Sequence, residues 1–195
     1  MDIKPIETVY KGYRFRSRLE ARWAVFFDAV DAGLGTRILY EPEGFQLADG
    51  TMYLPDFYDK DTGIWIEVKG VMSDLDLHKL KLFRGEDYSK TLLVLGNIPT
   101  EEEAADLLGT AYNYAPEDWG CDGAFGIGWD YPYLPCICPV CGKFGFTFDG
   151  RGWRVCAHDG NDGKHYSYDH PRIIEAFRKA RQARFEHGET PIIRR

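Results

Sequence analysis

The sequence predicts an α/β fold, and three observations carry that expectation. From Leu19 to Val30 the apolar residues recur at helical spacing. Three short strand-like runs follow, each bounded by turn signals. A second helical stretch then leads into the continuous apolar run Leu92-Leu93-Val94-Leu95. The predicted order over residues 1–97 is helix, three strands, helix, strand. A cysteine-rich hairpin and a terminal helix come after it.

The first helix is expected from Ser17 to about Asp31, because Leu19, Trp23, Phe26, Phe27 and Val30 form one stripe at i, i+4, i+7, i+8 and i+11. Gly33 and Gly35 end it. Thr36–Tyr40, Met52–Tyr58 and Ile64–Lys69 read as strands, with Glu41-Pro42-Glu43-Gly44 and Asp59-Lys60-Asp61-Thr62-Gly63 as the turns between them. Leu75–Phe83 reads as the second helix, started by Ser73 or Asp74. Leu92–Leu95 is short and apolar throughout, as in a buried central strand. Beyond Pro99, Glu101–Leu108 is expected to make a short acidic helix, and residues 109–135 show no firm periodicity. Ile173–Phe185 is helical in pattern, with Arg172, Arg178, Lys179, Arg181 and Arg184 distributed around it. The chain divides into a core (1–97), an acidic and aromatic connection (98–135), a hairpin module (136–170) and a basic helix with its tail (171–195).

A chain of 195 residues with 44% hydrophobic content is long enough for one full core and a small appendage. It has no apolar stretch of the ~20 residues that a bilayer requires. Met1-Asp2-Ile3-Lys4-Pro5 lacks the form of a signal peptide, so a cytoplasmic location is expected. The net charge of −7 argues against a nucleic-acid partner only until its distribution is read. From Thr91 to Pro135 there are eight acidic residues and no Lys or Arg, whereas Met1–Val25 and Pro171–Arg195 are both basic. A phosphate backbone responds to the local field rather than to the total.

Chemistry concentrates in two places. In Ile64-Trp65-Ile66-Glu67-Val68-Lys69-Gly70, strand alternation puts Glu67 and Lys69 on one face. Pro55-Asp56 lies eleven residues before Glu67, on the preceding strand. Two carboxylates from adjacent strands suit Mg²⁺ or Mn²⁺, with the lysine beside the ion. The second place is Cys138-Pro139-Val140-Cys141-Gly142, a zinc knuckle in form, followed by Cys156 and His158. Asp149-Gly150 signals a hairpin turn between Phe144–Phe148 and Trp153–Val155, which would return Cys156 and His158 to the knuckle. Four protein ligands leave no open position, so that zinc would be structural. Cys136, His165 and His170 are alternatives to His158, and Cys121 reads as a small apolar residue.

Pro55-Asp56 followed by Glu67-x-Lys69 resembles the signature of the PD-(D/E)XK nucleases. That resemblance implies an αβββαβ core with a mixed sheet and hydrolysis of DNA phosphodiesters with Mg²⁺ or Mn²⁺. It also implies 5′-phosphate and 3′-hydroxyl products. Asp56, Glu67 and the Val68 carbonyl would hold the metal, and Lys69 would orient or deprotonate the attacking water. Glu20 is the matching acid on the first helix, although Ser17-x-x-Glu20 is equally a capping box. Tyr13-Arg14-Phe15-Arg16-Ser17-Arg18-Leu19-Glu20 is similar to the helix entry of phage-type and mobile-element members, with Arg14, Arg16 and Arg18 placed to meet DNA phosphates. The Glu20, Asp56 and Glu67 spacing resembles that of phage Holliday-junction resolvases, which implies branched DNA as substrate and a possible homodimer. For a phage-encoded member the location is the host cytoplasm. A Gln-x-x-x-Tyr signature of the exonuclease branch is absent from Asp74–Tyr88. A sequence-specific restriction or mobile-element cutter, and a non-catalytic DNA-binding or assembly protein on the same fold, are the other readings.

Overall fold

The computed structural model describes residues 6–85, 90–100, 134–147, 156, 158 and 170–185. It opens on a hairpin outside the expected elements, β1 (Thr8–Tyr10) against β2 (Tyr13–Phe15). Lys11 and Gly12 both take positive φ, 49° and 83°, as a two-residue turn matched to strand twist requires. Ser17 then caps α1 (Arg18–Ala29), its hydroxyl accepting from the Glu20 amide at 3.1 Å. The predicted apolar stripe is buried here, with Trp23, Phe26 and Phe27 sealed from solvent.

Next come β3 (Ile38–Tyr40), β4 (Phe45–Gln46), β5 (Met52–Tyr53), β6 (Phe57–Asp59) and β7 (Ile64–Val68). They are followed by α2 (Asp74–Arg84) and β8 (Thr91–Leu95). The run expected as one strand at Met52–Tyr58 is in fact two, β5 pairing with β4 and β6 lying between β3 and β7. Pro55 has no N–H to give a ladder, and the Asp56 carboxylate turns inward to accept the Val68 amide at 2.7 Å.

The main sheet has the order β3-β6-β7-β8. Its first three strands are antiparallel and β7–β8 is parallel, so the sheet is mixed. Strand alternation splits its side chains between two helical layers. Ile64, Ile66 and Val68, with Leu93 and Leu95, join the cluster built on α1. Trp65, Leu92 and Val94 join Leu80 and Phe83 of α2. Coverage on both faces explains why β8 is buried throughout and apolar from Leu92 to Leu95. Its expected central position is corrected: β8 is the end strand among the described residues.

The C-terminal part closes the α1 side. Strand β9 (Leu134–Ile137), which no periodicity in the sequence announces, pairs with β10 (Phe144–Thr147) around the knuckle. Helix α3 (Pro171–Gln182) starts at a His170 cap and stops three residues before the expected Phe185. Ile137, Phe144, Phe146, Ile173 and Phe177 all belong to the α1 cluster. Phe26 stacks on Phe177 at 4.5 Å between ring centroids and meets Phe144 edge-on at 5.9 Å. Two arginines fasten this layer. Arg37 forks onto Asp59 at 2.8 and 2.6 Å and donates to the Phe144 carbonyl at 2.9 Å. Arg172 donates to Gly142 O at 3.0 Å and to Val30 O at 2.6 Å, joining knuckle, α3 and the end of α1.

Because Phe26 touches both C-terminal elements, Phe26→Ala is expected to lower unfolding free energy by about 3–5 kcal/mol. Urea denaturation of wild type and variant measures this directly. The acidic helix at 101–108, the connection up to 133, the Asp149-Gly150 turn, the strand at 153–155, Cys121, His165 and the tail after 185 lie outside the described residues.

Candidate functional site

The β6–β7 register sets Phe57 opposite Ile66 and so brings Asp56 beside Glu67. Both residues are 3% exposed, and Glu20 of α1 is 6% exposed. Each carboxylate has its own fixed donors. Asp56 accepts the Val68 amide on Oδ2 at 2.7 Å and the Arg16 guanidinium on Oδ1 at 2.7 Å. Glu67 accepts Tyr53 Oη on Oε2 at 2.7 Å and meets Lys69 Nζ on Oε1 at 3.0 Å. Glu20 accepts Tyr40 Oη at 2.8 Å and the Arg16 amide at 3.1 Å.

The Ser17–Glu20 box is therefore only half formed. Ser17 caps the helix, while the Glu20 carboxylate reaches past it to Arg16 and Tyr40 and faces the other acids.

Lys69 lies between two acids, Glu67 and Asp76, each at 3.0 Å. Asp76 does two jobs. Its Oδ2 accepts from the Ser73 amide and hydroxyl in the capping box that begins α2, and its Oδ1 holds the lysine. Burial alone would lower the Lys69 pKa, but the Glu67 charge and the bond to Asp76 raise it above its ordinary value. Burial also raises the Asp56 carboxyl well above the usual range, and the charges of Glu67 and Glu20 push it further. Counting Glu41, which meets Arg16 Nε at 2.5 Å, five carboxylates share two cations in this network. Carboxylates outnumber cations at this largely buried cluster, and its polar lining is of oxygen donors.

The three basic candidates of the entry segment separate. Arg16 reaches into the acids. Arg14 points outward from β2, 76% exposed, with Glu7 at 3.4 Å. Arg18 is half-buried at the first position of α1.

The second constellation is tighter. The ligand atoms of Cys138, Cys141, Cys156 and His158 all lie within 4.8 Å of one another. His158 Nδ1 is 3.5 Å from Cys156 Sγ and 3.9 Å from Cys138 Sγ. A tetrahedron with Zn–S near 2.3 Å and Zn–N near 2.05 Å has S···N edges of about 3.6 Å. This Cys₃His cluster could therefore hold a metal ion such as zinc. Burial would raise the Cys138 thiol, yet the Cys141 and Val140 amides and the neighbouring thiols bring it down to about 7, ready to ligate. Two of the other ligand candidates, Cys136 and His170, are occupied elsewhere. Cys136 is buried with Sγ on the Gly145 carbonyl at 3.4 Å, and His170 Nδ1 caps α3 by accepting the Arg172 amide.

Comparison of the chain with protein-family models, curated proteins and solved structures returned no match.

Tyr40, Glu41, Tyr53 and Asp76 were not among the sequence candidates, although each bonds to one that was. For Asp76 the signal was present, since Ser73-x-x-Asp76 is a capping pattern. The tyrosines carried none, because their partners lie 20 and 14 residues away. Among the described residues, no helix is long and apolar enough to cross a membrane.

Proposed function

We propose that this chain is a divalent-metal-dependent DNA endonuclease of the PD-(D/E)XK kind, acting on branched or otherwise structured DNA. One observation carries the reading: Glu20 of α1, Asp56 just before β6 and Glu67 of β7 share one buried acidic site with Lys69 at its edge. Mg²⁺ or Mn²⁺ fits this all-oxygen donor set, with Asp56, Glu67, Glu20 and the Val68 carbonyl as ligands. The ion, when bound, stabilises charge on the phosphate and acidifies a water. The protein's own part is to fix the carboxylates through Val68, Tyr53 and Tyr40, and to hold Lys69, kept charged by Glu67 and Asp76, where it orients the attacking water. Arg14, exposed on β2, and Arg18, half-buried at the start of α1, would meet backbone phosphates. By the resemblance, cleavage leaves a 5′-phosphate and a 3′-hydroxyl, and paired cuts across a junction call for a homodimer. A sequence-specific cutter of the restriction or mobile-element type would use the same residues.

The ion pair from Arg16 to Asp56 favours a second reading, a DNA-binding or assembly protein that keeps the fold without catalysis. Incubation with matched linear duplex, single-stranded and four-way-junction DNA separates the two. The nuclease is expected to cut with Mg²⁺ or Mn²⁺, to prefer the junction, and to stop when the ion is withheld from zinc-loaded protein. Omission is a cleaner control than EDTA, which would also strip the thiolate cluster. Tight DNA binding with no cutting under any metal would put the binding protein in front.

A further inference from the structure

Asp56 has two carboxylate oxygens, and both are spoken for. Oδ2 is tied to the backbone amide of Val68 at the end of β7, a bond between the ends of two neighbouring antiparallel strands. A cation that binds Asp56 through Oδ1 meets the Arg16 guanidinium, which already sits there at 2.7 Å. Arg16 is not fixed there by burial, since its side chain is 53% exposed. Its Nε lies on Glu41 and its Nη2 also reaches the Leu54 carbonyl at 3.3 Å. Every contact from the guanidinium is thus to oxygen at the rim of the acidic site. The Arg16 backbone, by contrast, is pinned, its amide donating to Glu20 and Tyr40. A fixed backbone with an exposed, long side chain describes a group that can leave Asp56 without disturbing the fold.

We propose that Arg16 is an internal counter-ion that a divalent cation displaces from Asp56, so that guanidinium and metal compete for one oxygen. The inference rests on the metal-site reading given above. Two positive charges on one carboxylate oxygen repel, so loading the cation swings Arg16 outward. The released guanidinium then faces the approaching DNA, where a phosphate takes the place of Asp56 as its anionic partner. In the cation-free state the same contact offsets part of the repulsion among Glu20, Asp56 and Glu67.

The test is Mn²⁺ affinity, read by the loss of the free-ion electron paramagnetic resonance signal on titrating full-length, zinc-loaded protein. Arg16→Ala and the bulkier Arg16→Gln are expected to bind Mn²⁺ roughly three- to ten-fold more tightly than wild type. In Asp56→Asn the gain from removing Arg16 should vanish. Circular dichroism checks that each variant is folded, and the glutamine variant serves if the alanine one is not. If wild type binds Mn²⁺ through Asp56 and both Arg16 variants bind it equally or more weakly, the competition is overturned and the metal site stands. If no protein of the set binds Mn²⁺, or if Asp56→Asn leaves binding unchanged, the metal-site reading and the competition fall together.

Discussion

Lys69→Ala is expected to lower metal-dependent DNA cleavage by ~10²–10⁴-fold, the usual share of a positioned proton-transfer or orienting group. The size follows from its location. The ammonium touches the candidate ligand Glu67 at 3.0 Å and is steered by Asp76 from the start of α2, so no neighbouring cation stands ready to replace it. Arg16, the other cation of the network, is directed at Asp56 and Glu41 rather than at Glu67. Removal leaves Glu67 with the Tyr53 hydroxyl as its partner, which keeps the carboxylate hydrogen-bonded and the strand in place. Lys69→Arg retains the charge but presents a planar fork instead of a point charge, and should recover only a minor part of the rate. Single-turnover cleavage at saturating DNA, beside urea unfolding of each variant, separates lost chemistry from lost fold. A Lys69→Ala protein that cuts within about three-fold of wild type would remove this residue from the mechanism.

The second large effect is expected at the thiolates. Cys138→Ser should abolish stoichiometric zinc binding and lower stability by more than ~4 kcal/mol, a loss in the range set by forfeited structural metals. Cys138 is the buried corner of the Cys₃His cluster, and the knuckle it opens is bonded through Gly142 to Arg172. Without the metal, two regions far apart in sequence lose their tie, and the apolar face of β9–β10 loses part of its hold on α1. Cys136→Ser is the informative partner. That thiol is raised by burial and spent on the Gly145 carbonyl, so the serine variant should keep a full equivalent of zinc. Metal content by mass spectrometry and thermal unfolding with and without a chelator check both. Full zinc in Cys138→Ser, or its loss in Cys136→Ser, would reassign the ligands.

What could be read from the sequence was periodic or local. The α1 stripe and the alternation of Ile64–Val68 are periodic. Ser17 and Ser73 are caps whose partner lies three residues on. What could not be read depends on contacts across the chain. The β1–β2 turn is built on Lys11-Gly12, a weaker signal than Asn-Gly. Strand β9 begins Leu134-Pro135, and a proline there argues against a strand unless its neighbours are known. The break at Pro55-Asp56 arises because Asp56 bonds twelve residues ahead, to Val68. At the candidate site, strand alternation put Glu67 and Lys69 on one face, while Asp56 and Glu20 were joined to them by the resemblance. Arg16 was legible only as a cation near DNA, since its grip on Asp56 spans 40 residues.

The bond from Arg172 to the carbonyl of Val30 closes a loop of 142 residues, and Phe26 waits across a similar gap for Phe177. On a ribosome adding 5–20 residues per second, α1 would be complete roughly 8–30 s before the helix that covers it. Through that interval Trp23 and Phe26, both sealed in the finished protein, have no aromatic neighbour at Phe177 or Phe144 to bury them. The nascent chain therefore carries a partly uncovered helix through that interval, and its yield in a cell should depend on chaperone supply more steeply than its final stability would suggest.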